Sequence, residues 1–199
     1  MSTTTSRPRH LFVARHGQTA LNAEGRLRGL ADPPLDEVGD AEACRLATEM
    51  SRRGVTVVIS SPLTRAWQTA HVVALAAGVP HLVDDSFNDR DYGPHTGHVR
   101  AQVEARWGTV DRAPGVEPAE NVLRRVLVGV ERALETARGG TALVVTHDAV
   151  IRPLLHTIDP GRELAVLTGS WNWLARGEDG WSLIAADQVP PGRDEARPA

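Results

Sequence analysis

No lysine occurs among the 199 residues, so all 22 basic side chains are arginine. A lysine Schiff base, a Walker P-loop and the strand lysine of protein kinases are thereby excluded. A single cysteine, Cys44, rules out an internal disulfide framework and any cysteine-rich zinc or iron–sulfur site. Aromatic residues are scarce, and with five tryptophans against two phenylalanines most aromatic burial falls to tryptophan. No apolar run approaches the roughly eighteen residues that span a bilayer. The apolar run at 11–14 is also too short for a signal peptide, so a soluble cytoplasmic protein is expected. With 25 acidic against 22 basic residues the formal charge is -3. That balance gives no general attraction to a polyanion, so neither nucleic acid nor an anionic membrane is expected as a partner.

What is present alternates. Apolar runs of strand length are followed by stretches of helical period, the pattern of an α/β layer fold in one domain. Strands are predicted at 11–14, 55–59, 79–83, 143–145, 163–167, 170–175 and 181–185, the last two joined as a hairpin. Helices are predicted at 36–53, 63–77, 99–107, 119–137 and 149–157, with Pro153 weakening the last. Residues 84–118 are rich in Asp, Gly, Pro and His and read as a small cap inserted over the site. The expected architecture is a three-layer α/β/α sandwich with a mainly parallel sheet over 10–187, between flexible tails at 1–9 and 188–199.

Arg15-His16 and His147 each follow an apolar strand, and the carboxyl ends of strands form the ligand crevice of open α/β sheets. Arg65, in the first turn of the helix after the strand at 55–59, points to the same crevice, and Asn22 lies in the loop after His16. Two guanidinium groups, two imidazoles and an amide around one point suit a strongly anionic ligand, above all a phosphoryl group. A neutral imidazole there can also attack phosphorus, and the resulting phosphorus–nitrogen bond is labile to water. The leaving alkoxide needs a carboxylic acid, for which Asp89 and Asp91 are rival candidates.

Arg15-His16-Gly17-Gln18-Thr19 with Asn22, Ser60-Ser61-Pro62-Leu63-Thr64-Arg65, Asn88-Asp89-Arg90-Asp91-Tyr92-Gly93 and Val144-Val145-Thr146-His147 together resemble the histidine phosphatase superfamily, the phosphoglycerate-mutase-like proteins. The resemblance implies a phosphorylated nucleophile at His16 and a phosphate pocket of Arg15, Arg65 and His147 with Asn22 as an accessory donor. Asp89 falls where the family's acid stands, although the family usually has glutamate there. Gln18, Thr19 and Glu117 are further candidate substrate contacts. Gly115-Val116-Glu117-Pro118 departs from the family's Gly-Gly-Glu-Ser. Asp148, where glycine is common, is expected to orient His147 or raise its pKa.

Mutases of this family have a longer insertion and a pocket lysine, so the resemblance favours water as acceptor. The expected activity is metal-independent and cofactor-free hydrolysis of a small phosphomonoester. A phosphoglycerate mutase and a phospho-ligand-binding protein without catalysis are the alternatives, and a homodimer stays open. Arg26 and Arg28 stand between a second anion contact and surface ion pairs. His95 and His98, split by Gly97, read as loop histidines rather than metal ligands, and Trp107 lies where the cap should overhang the pocket.

Overall fold

A computed structural model describes residues 9–192. Six strands form one sheet: β1 (Arg9–Arg15), β2 (Val55–Ser60), β3 (His81–Val83), β4 (Thr141–Thr146), β5 (Trp171–Gly177) and β6 (Gly180–Gln188). Their order is β3-β2-β4-β1-β5-β6. The four strands from β3 to β1 run parallel, and the β5–β6 hairpin is added antiparallel to β1. β1 and β4 are therefore central neighbours, with Arg15 opposite Thr146.

The central strands are buried on both faces, which is why they read as continuous apolar runs. Leu11 and Val13 of β1 and Ala142 and Val144 of β4 face one layer, built from α5 (Ala119–Thr136) and α6 (Asp148–Ile158). Phe12, Ala14, Leu143 and Val145 face the other, built from α2 (Glu37–Met50) and α3 (Thr64–Ala77). Each such Val, Leu or Phe side chain contributes roughly 1.5–3 kcal/mol on burial. Residues 84–118 carry α4 (Arg100–Trp107) and pack as a separate small cluster in which Leu27, Tyr92, Val103, Val110 and Ala113 are buried. A one-turn helix, α1 (Ala20–Ala23), follows β1.

Helix ends follow their capping chemistry. Asp36 accepts from Gly39 N at 2.8 Å to start α2, and Gly78, at φ 65°, ends α3 in the left-handed region. Leu63 gives α3 no side-chain cap, and Asp32 replaces it by accepting from Thr64 N and Thr64 Oγ1 at 2.6 and 2.7 Å.

The strand expected at 163–167 does not form. Val166 has φ 45°, and the backbone N–H groups of Ala165 and Val166 donate to the Asp187 carboxylate rather than to a neighbouring strand. The hairpin expected at 170–185 does form, with β6 running on to Gln188. The expected flexible tails fall largely at 1–8 and 193–199, outside the described residues. No helix among the described residues is long and apolar enough to cross a membrane.

Candidate active site

The site forms where the parallel strands end. His16 N donates to Thr146 O at 3.0 Å, extending the β1–β4 ladder by one residue beyond Arg15, and so sets the two histidines side by side. Their ring centroids lie 5.0 Å apart, and both side chains are fully buried. His16 Nδ1 sits 2.6 Å from Gly17 O, so the proton of the neutral ring belongs on Nδ1 and the lone pair on Nε2. Arg65 Nε donates to that Nε2 at 3.3 Å.

Arg65 itself is held rigidly. Its Nη1 donates to Ala31 O, and its Nη2 to Gly29 O and to Asp89 Oδ2 at 2.9 Å. Gly17 N donates to Thr69 Oγ1, which donates in turn to Arg65 O, so the His16 loop and α3 are tied together. Gly17 and Gly39 pack backbone to backbone: a Cβ on Gly39 would stand 2.1 Å from Gln18 O.

Asp89 and Asp91 are distinguished by position. Asp89 is buried, with Oδ2 on Arg65 and 3.7 Å from His147 Nδ1, and Oδ1 on Arg90 N. The Asp91 carboxylate instead accepts from Gly93 N in a local turn. Burial pushes the Asp89 carboxyl up from its ordinary value against the opposing pull of Arg65 and Arg28. Burial first, and then the Arg65 charge, hold His16 well below its ordinary value, and the same causes act on His147.

Arg15 donates to Val166 O at 2.8 Å, the carbonyl made available by the irregular segment at 163–167. Asn22 Oδ1 accepts from Thr19 N and Thr19 Oγ1 in a capping box, and none of the described residues accepts from its Nδ2. Gln18 and Thr19 turn elsewhere, whereas Glu117 lines a cavity of about 580 Å³ together with Asp89 and Asp91. Gln18 Nε2 donates to Asp36, and Thr19 is committed to the cap. Glu117 accepts from Asp91 N and from Arg125.

Asp148 does not orient His147. It lies 2.5 Å from Arg28 and 3.9 Å from Arg15, both ring nitrogens of His147 lack a hydrogen-bond partner, and the His147 pKa moves down rather than up. Burial would push the Asp148 carboxyl up, but Arg15 and Arg28 together hold it well below the usual carboxylate range.

Of two further arginines near the site, Arg125 was not singled out from the sequence, and Arg28 stood there between an anion contact and a surface ion pair. Arg28 is buried rather than a surface group, whereas Arg26 pairs with exposed Glu24. Arg125 donates to the carbonyls of Ser86, Asn88 and Asp89 at 2.9, 2.6 and 3.0 Å, clamping the Asp89 segment from α5. Thr146 Oγ1 holds the same segment through Phe87 O at 2.7 Å. Arg125 carries a readable signal, since it falls among Val122, Val126 and Gly129 on the buried face of its helix.

A cavity of about 500 Å³ adjoins the site, lined in part by Arg90, Tyr92, Arg100, Asp148 and Arg152. His95 Nε2 lies 3.1 Å from Pro114 O, with the His98 ring edge-on to it. No group of three or more His, Cys, Asp or Glu among the described residues could hold a metal ion. Trp107 packs against the cap cluster and under Arg106.

Comparison with known proteins gives one consistent family. The profile of the histidine phosphatase superfamily (branch 1) matches residues 11–188. A bifunctional protein of Mycobacterium tuberculosis is 37% identical over 165 residues, covering 77% of this chain but 45% of that protein, so the chain spans less than half of its length. An Escherichia coli protein named "Probable phosphoglycerate mutase" is 32% identical over 158 residues, 74% of each chain. Among solved structures, a phosphoglycerate mutase from Bacillus anthracis superposes with a TM-score of 0.83 at 23% identity, covering 94% of this chain and 96% of its own. A mycobacterial glucosyl-3-phosphoglycerate phosphatase does so at 0.79 and 23%, covering 91% and 99%.

Proposed function

Because the chain belongs to the histidine phosphatase superfamily (branch 1), we propose that it is a phosphatase that hydrolyses a small phosphomonoester through a phosphohistidine on His16, with no metal required. The reading is carried by the His16 ring: its Nδ1 faces Gly17 O at 2.6 Å, which leaves the Nε2 lone pair beside Arg65 and His147. An imidazole whose pKa is held low is neutral, and so nucleophilic, at pH 7.

In the first half-reaction His16 Nε2 attacks phosphorus in line with the ester oxygen. A P–N bond forms as the P–O bond breaks, and Asp89 gives its proton to the departing alkoxide. In the second, the Asp89 carboxylate takes a proton from water as the water oxygen attacks phosphorus. The P–N bond breaks, inorganic phosphate leaves, and His16 is again neutral. Arg15 and Arg65 supply fixed positive charge to the non-bridging oxygens, the task a divalent cation performs in metal-dependent phosphatases, and His147 adds a donor. Asn22 offers its amide to the same oxygens.

The test is phosphate release from a panel of phosphomonoesters with chelator present, joined to rapid-quench labelling. Turnover that survives chelator, disappears in His16→Ala and leaves acid-labile phosphorus on His16 is the expected result. Loss of activity with chelator, or label on another side chain, overturns the proposal. Binding without turnover would identify a phospho-ligand-binding protein. The mutase reading is favoured by the Escherichia coli relative; it predicts interconversion of phosphoglycerates stimulated by 2,3-bisphosphoglycerate. The absence of lysine and the short insertion at 84–118 favour water as the acceptor.

A further inference from the structure

Beside the phosphoryl cage sits an ion pair that the proposed chemistry does not use. Arg28 Nη2 donates to Asp148 Oδ1 at 2.5 Å, with both side chains largely withdrawn from solvent, and Arg15 Nη2 approaches the same oxygen to 3.9 Å. Arg28 is no outlying surface group: its charge bears on His16, His147 and Asp89 alike. Its Nε is buried without a partner. So are the Nε of Arg15 and both ring nitrogens of His147, the residue next to Asp148 in the chain. Buried nitrogens left unpaired in one neighbourhood call for a ligand rich in acceptor oxygens. Asp148 also lines the 500 Å³ cavity, so it stands between the buried Arg15 and Arg28 guanidinium groups and open space.

The charge balance gives this pair a purpose. Arg15, Arg28 and Arg65 bring three fixed positive charges to a region that contains Asp89 and Asp148. With Asp89 protonated, as proton donation requires, one negative charge against three leaves a surplus of two, which matches a phosphate dianion. Without Asp148 the surplus would be three, and the dianionic product would be held more tightly than the chemistry needs.

We propose that Arg28 is a further phosphoryl-binding cation and that Asp148, acting through Arg28 and secondarily through Arg15, is a positioning residue that weakens the grip of the pocket on inorganic phosphate and so hastens product release. The weakened grip on phosphate rests on the phosphoryl-pocket reading of this site, and only the hastened product release rests on turnover as well. In the ligand-free protein Asp148 occupies Arg28, and an arriving phosphoryl oxygen competes with that carboxylate for the guanidinium. The carboxylate then serves as the counter-ion to which Arg28 returns when phosphate departs.

Calorimetric titration of the full chain with inorganic phosphate at low and high salt tests this directly. Asp148→Asn keeps the shape of the side chain and is expected to bind phosphate about tenfold more tightly, with a steeper salt dependence. Arg28→Gln is expected to bind about tenfold more weakly. In the double variant, the gain from Asp148→Asn should shrink to less than threefold, because the group it acts through is gone. In turnover, Asp148→Asn should lower KM and kcat together, a pattern that a merely structural defect, lowering kcat alone, does not give. Phosphate affinity that is unchanged or weaker in Asp148→Asn overturns the proposal. If that variant does not fold, unchanged affinity in Arg28→Gln does the same. Phosphate binding that follows this pattern in a chain without hydrolytic activity would sink the phosphatase reading and product release with it, and leave standing the role of Arg28 and Asp148 in setting phosphate affinity.

Discussion

Arg65 Nη2 donates to Asp89 Oδ2 across 2.9 Å with neither side chain reaching solvent. The pair joins the first turn of α3 to the segment that carries the proposed acid, and it leaves each charge dependent on the other. At a pH where Asp89 is ionised, removing one partner strands a buried charge, at a cost of about 3–5 kcal/mol. Arg65→Ala should therefore lower the unfolding free energy by about that amount as well as abolish turnover. Arg65→Ala combined with Asp89→Ala should be more stable than Arg65→Ala alone. Urea unfolding of the four proteins in the cycle measures the coupling, and strictly additive losses would argue against it.

Asp89 and Asp91 differ in what they touch, and substrates reveal it. Asp89→Asn is expected to cut kcat/KM about 10²–10⁴-fold for alkyl phosphates and far less for aryl phosphates, whose leaving groups need little protonation. Asp91→Asn keeps an acceptor for Gly93 N and should change either rate less than about threefold. Equal losses for both substrate classes in Asp89→Asn would remove Asp89 from the acid role.

The pH profile of kcat/KM follows from the same two groups. Protonation of His16 blocks attack, so the rate falls as pH drops through a pKa that lies below 6.5. Ionisation of Asp89 removes the acid, so with poor leaving groups the rate falls as pH rises through a pKa above 3.8. The expected curve is bell-shaped, and Asp89→Asn should erase its alkaline limb while leaving the acid limb in place.

Stability carries its own pH signature. His16 and His147 are buried neutral, whereas in the unfolded chain they take up protons near their ordinary value of 6.5. Below pH 6.5 the unfolded state therefore binds more protons, and stability falls as pH is lowered. Asp89, raised in the fold, opposes this at pH values just above 3.8. Thermal unfolding from neutral to acid pH should show the loss, with a shallower slope in His147→Gln.

The backbone contact between Gly39 and Gln18 predicts a local cost. A methyl group on Gly39 would meet Gln18 O at 2.1 Å and Gln18 N at 2.8 Å, two residues from His16. Gly39→Ala should destabilise by about 1–3 kcal/mol and lower kcat. Gly161→Ala, with nothing within 4 Å of its added carbon, serves as the control and should shift stability by less than about 0.5 kcal/mol.

The sheet and the heart of the site were legible because parallel strands buried on both faces leave unmistakable apolar runs at 11–14 and 143–145, and His16 and His147 follow them directly. The segment at 163–167 misled for a reason of the same kind. Glu163-Leu164-Ala165-Val166-Leu167 alternates like a strand, but its backbone donors are taken by Asp187, some twenty residues on, and local pattern is blind to that partner. Arginines posed the opposite difficulty. Arg26 and Arg28 look alike in sequence, yet one pairs with exposed Glu24 and the other is buried against Asp148, a distinction made only by tertiary packing, whereas Arg125 is marked by its place on the buried face of α5.

The pairing of β1 with β4 at the middle of the sheet has a consequence for folding. His16 and His147 lie 131 positions apart in the sequence, so the two imidazoles meet only through a long-range strand pairing and no local segment brings them together on its own. On the proposed chemistry, a fragment lacking β4 would be inert rather than partly active, because half of the histidine pair arrives with that strand.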